Sequence, residues 1–344
     1  MAKRVVLVTG ASGELGRALL RTLAARGGDH EVVAVDLAPL PDDVRPLVHA
    51  SYSGNILDRA LFDWLAARYA IERVFHLAAL LSARGEFAPE LAHQVNVEGT
   101  LNVLCMAQNE SSRQERPVRV LFPSSIAVYG MPPQEKQGPP IELREEQWNS
   151  PITMYGCNKL YCEHLGRYFS FHGRQSLSPG SAHLDFRAIR LPGLLSADTV
   201  PAGGTSDFGP EMIHAAARGI PYECFVPPEA KIPFMAMPDA VRALIELADA
   251  DGLRLSSSVY NIAAFSISAG EIARRLGETF AGAKVAFVPE PTRSEIVASW
   301  PEAVDDGRAR SDWGWRPAYD WGRTFCEYLV PSVTARYSTG SRAP

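Results

Sequence analysis

Val5-Val6-Leu7-Val8-Thr9-Gly10-Ala11-Ser12-Gly13-Glu14-Leu15-Gly16 is the stretch on which the fold turns. Its first four residues are a short apolar run, too short for a core helix and rich in β-branched side chains, so it reads as a buried parallel strand. Glycines follow at 10, 13 and 16, and beyond them Leu15, Ala18, Leu19 and Leu23 recur at helical spacing. The pattern is strand, tight glycine turn, helix N-terminus. Such a turn lets backbone N–H groups approach a pyrophosphate, and the helix dipole favours its negative charge.

Working outward, a second apolar strand, Glu31-Val32-Val33-Ala34-Val35, ends in Asp36. An acid at this distance from the last glycine suits the adenosine ribose of NAD and repels the 2′-phosphate of NADP. A glycine triplet alone also occurs in a bare βα turn. Strand, glycines, helix, strand and acid in this order make an NAD-binding Rossmann half. The expected fold is α/β, a Rossmann-type doubly wound parallel sheet with a small discontinuous C-terminal substrate lobe. Residues 1–191 form the NAD-binding domain, with parts of about 232–265 returning to it. Residues of about 192–231 and 266–335 form the lobe.

The 344 residues are enough for that arrangement. Net charge is −5 and no basic run exceeds two residues, which gives no support to a nucleic-acid or membrane-surface role. Cys105, Cys157, Cys162, Cys224 and Cys326 form no C-x-x-C pair and no ligand cluster with histidine, so no metal site is expected. An odd, scattered set suits reduced thiols and a cytoplasmic location. The run after Lys3-Arg4 is too short for a signal-peptide core, and no apolar stretch is long enough to span a membrane.

In chain order, Ile56-Leu57-Asp58 precedes a helix from Arg59 to Tyr69. Asp58 suits its N-cap; contact with the adenine amino group is the functional alternative, and both can hold. The strand Arg73-Val74-Phe75-His76-Leu77 runs into Ala78-Ala79, small residues that suit a dinucleotide crevice. His76 reads as a packed core histidine. A helix from Pro89 to Gln108 carries Asn96. The strand Val118–Phe122 ends in Pro123-Ser124-Ser125, and a helix beginning near Tyr155 runs to Phe171. Tyr155 and Lys159 share one face of it. A phenol is a poor base at neutral pH; a neighbouring ammonium and a positive nicotinamide favour the phenolate. A hydroxyl at Ser125 can hold the substrate oxygen. A strand from Asp185 to Leu191 is broken at Pro192. The glycine loop 202–208 contains Thr205 and Ser206, and composition alone does not decide its role. Ser268 and Glu271 form a capping box. The tail, with Trp300, Trp313 and Trp315, reads as irregular, and its tryptophans as packing residues.

Thr9-Gly10-x-x-Gly13-x-x-Gly16, Asp36, Asp58, His76-Leu77-Ala78-Ala79, Asn96-Val97, Gly99-Thr100, Ser125 and Tyr155-x-x-x-Lys159 together resemble the extended short-chain dehydrogenase/reductase family. Within it, Leu80-Leu81-Ser82-Ala83, Gly85-Glu86, Arg190-x-Pro192-Gly193-Leu194-Leu195-Ser196, Pro201-x-Gly203-Gly204-Thr205-x-Asp207 and Ser299-Trp300-Pro301 through Asp312-Trp313-Gly314-Trp315 look like the NAD-dependent L-threonine 3-dehydrogenases. Two departures stand out: a long polar segment at 172–184, and Ser206 where that group often has threonine. The resemblance implies a small amino-acid substrate oxidised at its β-hydroxyl, with catalysis by Ser125, Tyr155 and Lys159. It implies substrate contacts from Ser82, Ser125, Tyr155, Thr205 and Ser206. Cofactor contacts fall to Gly10, Ser12, Gly13, Glu14, Leu15, Gly16, Asp36, Ile56, Leu57, Asp58, Leu77, Ala78, Ala79, Asn96, Tyr155, Lys159, Leu191 and Pro192. A homodimer through the helices carrying Asn96–Gln108 and Tyr155–Phe171 is also implied. The alternatives are a nucleotide-sugar epimerase or dehydratase with tightly bound NAD, and a dehydrogenase of another β-hydroxy acid.

Overall fold

The computed structural model describes residues 3–28, 31–136, 141–172, 183–199 and 204–338. Seven strands make one sheet: β1 (Lys3–Thr9), β2 (Glu31–Asp36), β3 (Ala50–Ser53), β4 (Tyr69–His76), β5 (Arg119–Ser125), β6 (Asp185–Leu191) and β7 (Val259–Asn261). Their order is β7-β6-β5-β4-β1-β2-β3. The pairings from β3 to β5 are parallel. The chain reverses its direction of travel across the sheet between β1 and β4, so the crevice for a ligand lies beyond their C-terminal ends. The expected doubly wound sheet is present.

Apolar residues of these strands, among them Val5, Leu7, Val33, Val74, Val120 and Phe122, are buried against Leu65, Val103, Leu104 and Phe169 of the covering helices. Asp58 caps the helix Arg59–Arg68 by accepting from the Ala60 N–H at 3.0 Å. The helix expected over Pro89–Gln108 is instead three pieces: Pro89–His93, a π-helical turn over Gln94–Glu98, and Gly99–Gln114. Such turns re-aim side chains and occur at functional sites. This one carries Asn96.

The chain divides into two compact units. The first comprises Met1–Ser125, Met154–Arg190 and Val241–Tyr260; the second, Ile126–Thr153, Leu191–Ala240 and Asn261–Pro344. The sequence reading placed 126–153 with the nucleotide domain, because it follows β5 directly; these residues group with the second unit. There a smaller sheet has the order Phe265–Ser268, Lys231–Ala236, Gly193–Leu195. Lys231–Ala236 has no strand signal in the sequence, since Pro233 lacks the N–H that a ladder uses. The stretch after Pro192, read as a simple break, is the short parallel partner of that strand. The tail is not irregular. It holds helices over Pro291–Ser299, Gly307–Trp313, Trp321–Arg323 and Val330–Ser338, short enough for their punctuating glycines and prolines to hide the period. Trp300 and Trp315 are buried, as expected of packing residues. The capping box of Ser268 and Glu271 is formed. Of the 172–184 segment, 173–182 lie outside the described residues. No helix among the described residues is long and apolar enough to cross a membrane.

Candidate active site

The glycine turn sits where the sheet reverses. Gly10 has φ +70°, and a Cβ there would lie 2.5 Å from the Ala78 backbone nitrogen. The turn after β1 and the chain after β4 (Leu77-Ala78-Ala79) are therefore in backbone contact, which only glycine permits. A Cβ at Gly16 would be driven into the Gly10 carbonyl oxygen. The helix Glu14–Arg26 starts at Gly13 with no side chain capping it, and Glu14 lies in its first turn. This is a backbone cradle at a dipole's positive end, and it fits a dinucleotide pyrophosphate.

Asp36 closes the cradle on the β2 side. Its carboxylate accepts from the Ser12 N–H at 2.9 Å and the Ala38 N–H at 3.0 Å. These bonds fix its orientation. Asn96, on the π-helical turn, reaches the chain that leaves β4. Its side-chain amide accepts from the Leu80 N–H at 2.7 Å and donates to the Leu80 carbonyl at 3.0 Å, pinning the chain that leaves β4. Asn102 donates to the Ile56 and Leu57 carbonyls at 3.0 and 3.3 Å and so fixes that loop. His76 is buried between Thr9, at 2.7 Å, and Thr100, at 3.0 Å. Thr100 gives its proton to the Asn96 carbonyl at 2.6 Å, so it accepts from His76 Nε2–H. Burial, with Lys159 nearby, pushes this ring down to about 3. It is a neutral core histidine.

Ser125 ends β5, and Tyr155 and Lys159 lie in the first turns of the helix Met154–Phe171. Ser125 is hydrogen-bonded to Tyr155, which favours the phenolate, but burial dominates and pushes the phenol up to about 12. Lys159 stands near Tyr155 but is anchored on the strand. Lys159 Nζ donates to the Pro123 carbonyl at 2.7 Å, lies 4.4 Å from the Phe122 ring centre and 5.5 Å from that of Tyr155. Burial pushes Lys159 down to about 8, opposed by Cys162 and Glu163.

Two groups escaped the sequence reading as contributors here. Glu86 Oε1 accepts from the Met154 N–H at 2.8 Å, capping the helix that carries Tyr155. Glu163 pairs with Arg190 at 2.7 Å, both buried. Each link spans many residues, so local pattern carries no trace of it; helical spacing from Lys159 to Glu163 was the one available signal. Ser82 begins the short helix Ser82–Phe87 and is buried. Gly85 of that helix faces Tyr155, with 3.9 Å from its would-be Cβ to Tyr155 Cβ.

In the second unit, Leu191 and Pro192 are buried at the end of β6. Thr205 is buried and Ser206 partly so, in a turn closed by Asp207, whose carboxylate accepts from the Gly204 N–H at 2.5 Å. Arg293 donates to the Gly204 carbonyl at 3.3 Å. Pro201 and Gly203 lie outside the described residues.

A dinucleotide cradle at the switch point, with a serine–tyrosine–lysine set at the end of β5, places the chain among the NAD-dependent oxidoreductases of Rossmann type. More narrowly, it belongs to the NAD dependent epimerase/dehydratase family, whose model matches residues 6–263. It is 34% identical over 315 residues to the mitochondrial L-threonine 3-dehydrogenase of Bos taurus, covering 92% of this chain and 79% of that one. The GalE-like L-threonine dehydrogenase from Cupriavidus necator, solved in its holo form, superposes with a TM-score of 0.82 at 34% identity, covering 97% of this chain and 99% of that one. A monomeric L-threonine 3-dehydrogenase from a metagenome gives 0.82 and 34%, covering 96% and 99%. NAD is the cofactor of this chain, and the glycine cradle with Asp36 is the part of the structure that fits it.

Proposed function

We propose that the chain oxidises L-threonine at its β-hydroxyl to 2-amino-3-oxobutyrate. One observation carries the reading: the Ser125–Tyr155–Lys159 set stands at the end of β5 in a chain similar over nearly its whole length to L-threonine 3-dehydrogenases. Bound NAD⁺ would supply the hydride acceptor for the substrate's β-carbon and a positive charge beside it. Tyr155 removes the hydroxyl proton. Because burial holds this phenol near 12, it keeps its proton at neutral pH until cationic charge is added, and Lys159 is the chain's own cation beside it. Ser125 holds the reacting oxygen. Ser82, Thr205 and Ser206 take the substrate's carboxylate and ammonium, a role suggested by resemblance and suited to small hydroxyls.

The test is NADH absorbance after mixing the protein with NAD⁺ and L-threonine, L-allo-threonine, D-threonine, L-serine or 3-hydroxybutyrate. Net reduction with L-threonine alone is expected. Reduction with another compound only would keep the chemistry and discard the substrate. NAD binding without net reduction would favour an epimerase or dehydratase that recycles it.

We also propose a homodimer through the helices Gly99–Gln114 and Met154–Phe171, which expose Leu101, Tyr161 and Tyr168. Sedimentation decides between this and a monomer, the state of the metagenome relative. The odd, scattered set of cysteines supports a reducing, cytoplasmic setting.

A further inference from the structure

Strand β5 and the helix Met154–Phe171 meet through three consecutive residues. The Pro123 carbonyl accepts from Lys159 at 2.7 Å, the Ser124 hydroxyl donates to Glu163 Oε1 at 2.5 Å, and Ser125 is bonded to Tyr155. On the helix the partners fall at successive turns on one face. The middle contact continues into β6, where Arg190 donates to Glu163 through Nε at 2.9 Å and Nη2 at 2.7 Å. Ser124, Glu163 and Arg190 are only 2%, 3% and 2% exposed. A carboxylate and a guanidinium taken this far from water gain little over well-packed apolar residues of similar volume. Fold stability is therefore a poor explanation for the pair. Its location is a better one, since it ties both strands to the helix between the lysine and the serine.

We propose that Ser124, Glu163 and Arg190 are positioning residues that set the register of β5 against the Tyr155–Lys159 helix, and so the spacing of Ser125, Tyr155 and Lys159. The inference rests on the catalytic reading of those three. Glu163 acts on Lys159 in a second way, through charge. The titratable groups set against Lys159 are Tyr155, Cys162 and Glu163 on its own helix and neutral His76 on β4, and Arg190 on β6 is bonded to Glu163. Glu163 is the carboxylate among them. Without its charge the ammonium is held less firmly, and the lysine loses its proton at lower pH.

The experiment compares kcat, KM, NADH affinity by fluorescence titration, and pH profile across four variants of the full chain. Glu163→Gln keeps an acceptor for Ser124 but strands the Arg190 charge. It lowers kcat roughly tenfold or more, leaves NADH affinity within about twofold, and moves the high-pH limb to lower pH. Ser124→Ala lowers kcat less and leaves the limb in place. The double variant Glu163→Leu/Arg190→Met refills the space with apolar groups; it melts near the wild-type temperature and still has low kcat and a shifted limb. Wild-type kcat and pH profile in the double variant would overturn the proposal, leaving the network as packing alone. Tyr155→Phe separates the two readings. If it is inactive while the double variant is normal, only the positioning inference falls. If it turns over normally, the catalytic assignment falls first.

Discussion

The end of β5 and the turn 204–207 hold the candidate catalytic and candidate substrate-contacting residues, and they are built on opposite plans. At β5, Pro123, Ser124 and Ser125 are each fastened to one helix, and every bond lies between regular elements. At the turn, the chain from Ser196 onward is held from outside by side chains distant in sequence. His214 bonds the Ser196 carbonyl at 3.1 Å, Tyr328 accepts from the Ala197 N–H at 3.3 Å, Arg336 donates to the Asp198 carbonyl at 2.6 Å, and Arg293 holds Gly204. A rigid sheet end suits chemistry, which needs fixed distances. A loop held by exchangeable side chains suits specificity, which has to vary. The comparison predicts that changes at β5 act on turnover and changes at the turn act on substrate affinity.

The largest effect is expected at Tyr155. Tyr155→Phe removes the proposed base and keeps the ring, so turnover falls by about 10²-fold or more, with NADH affinity retained. A near-normal rate would break the comparison at its rigid end. Next comes Gly10→Ala. Its φ of +70° and its approach to Ala78 leave no place for a methyl group. The left-handed backbone alone costs about 1–3 kcal/mol, and the clash adds to it, so the variant melts lower and loses NAD binding. Gly219→Ala is the control: φ is +66°, but nothing lies within 4 Å of its would-be Cβ, so it shows the backbone cost alone.

The pH profile sharpens the same end. Lys159, pushed down to about 8 from an ordinary value of 10.5, is charged below pH 8 and loses its proton above it. Turnover is expected to fall as pH rises through about 8. Stability moves the other way. Between about 8 and 10.5 the unfolded chain binds the proton that the folded one has released, so folding gains with pH in that window. A rate that falls while the melting temperature holds or rises marks loss of the ammonium; both falling together would mark unfolding.

How much of this was legible follows from the range of the forces. The glycine turn, Asp36 and Tyr155–Lys159 are local patterns, because a tight turn and one helical face are local demands, and the structure brings Gly10, Ala78 and Asp36 around one crevice. Asp58 was legible as a cap for the same reason. Whatever depends on partners far away in sequence was not: the clamp of Asn96 on Leu80, the cap of Glu86 on Met154, the Glu163–Arg190 pair. Nor was the anchor of the Lys159 ammonium legible. Four residues along a helix places two side chains on one face but does not say where the ammonium points, and here the Pro123 carbonyl takes it. The division of the chain was missed at 126–153, where continuity with β5 in sequence hides membership of the other unit.

The two smallest predictions concern the turn. Thr205→Val keeps the shape of a buried side chain and removes its hydroxyl. A hydrogen bond of about 0.5–1.5 kcal/mol corresponds to a KM for the amino acid raised roughly two- to twelvefold, with kcat and NAD affinity little changed. Arg336→Gln reaches the same turn at one remove. Arg336 is bonded to the Asp198 carbonyl, while Tyr337 beside it bonds His214, which holds Ser196. Glutamine is too short to keep the Asp198 bond, but His214, Tyr328 and Arg293 still hold the segment, so the turn should loosen rather than leave. The expected result is KM for the amino acid raised about twofold, with kcat, NAD affinity and the pH profile unchanged. A fall in kcat instead, with KM steady, would show that this segment governs turnover as β5 does, and the contrast between the two regions would not survive it.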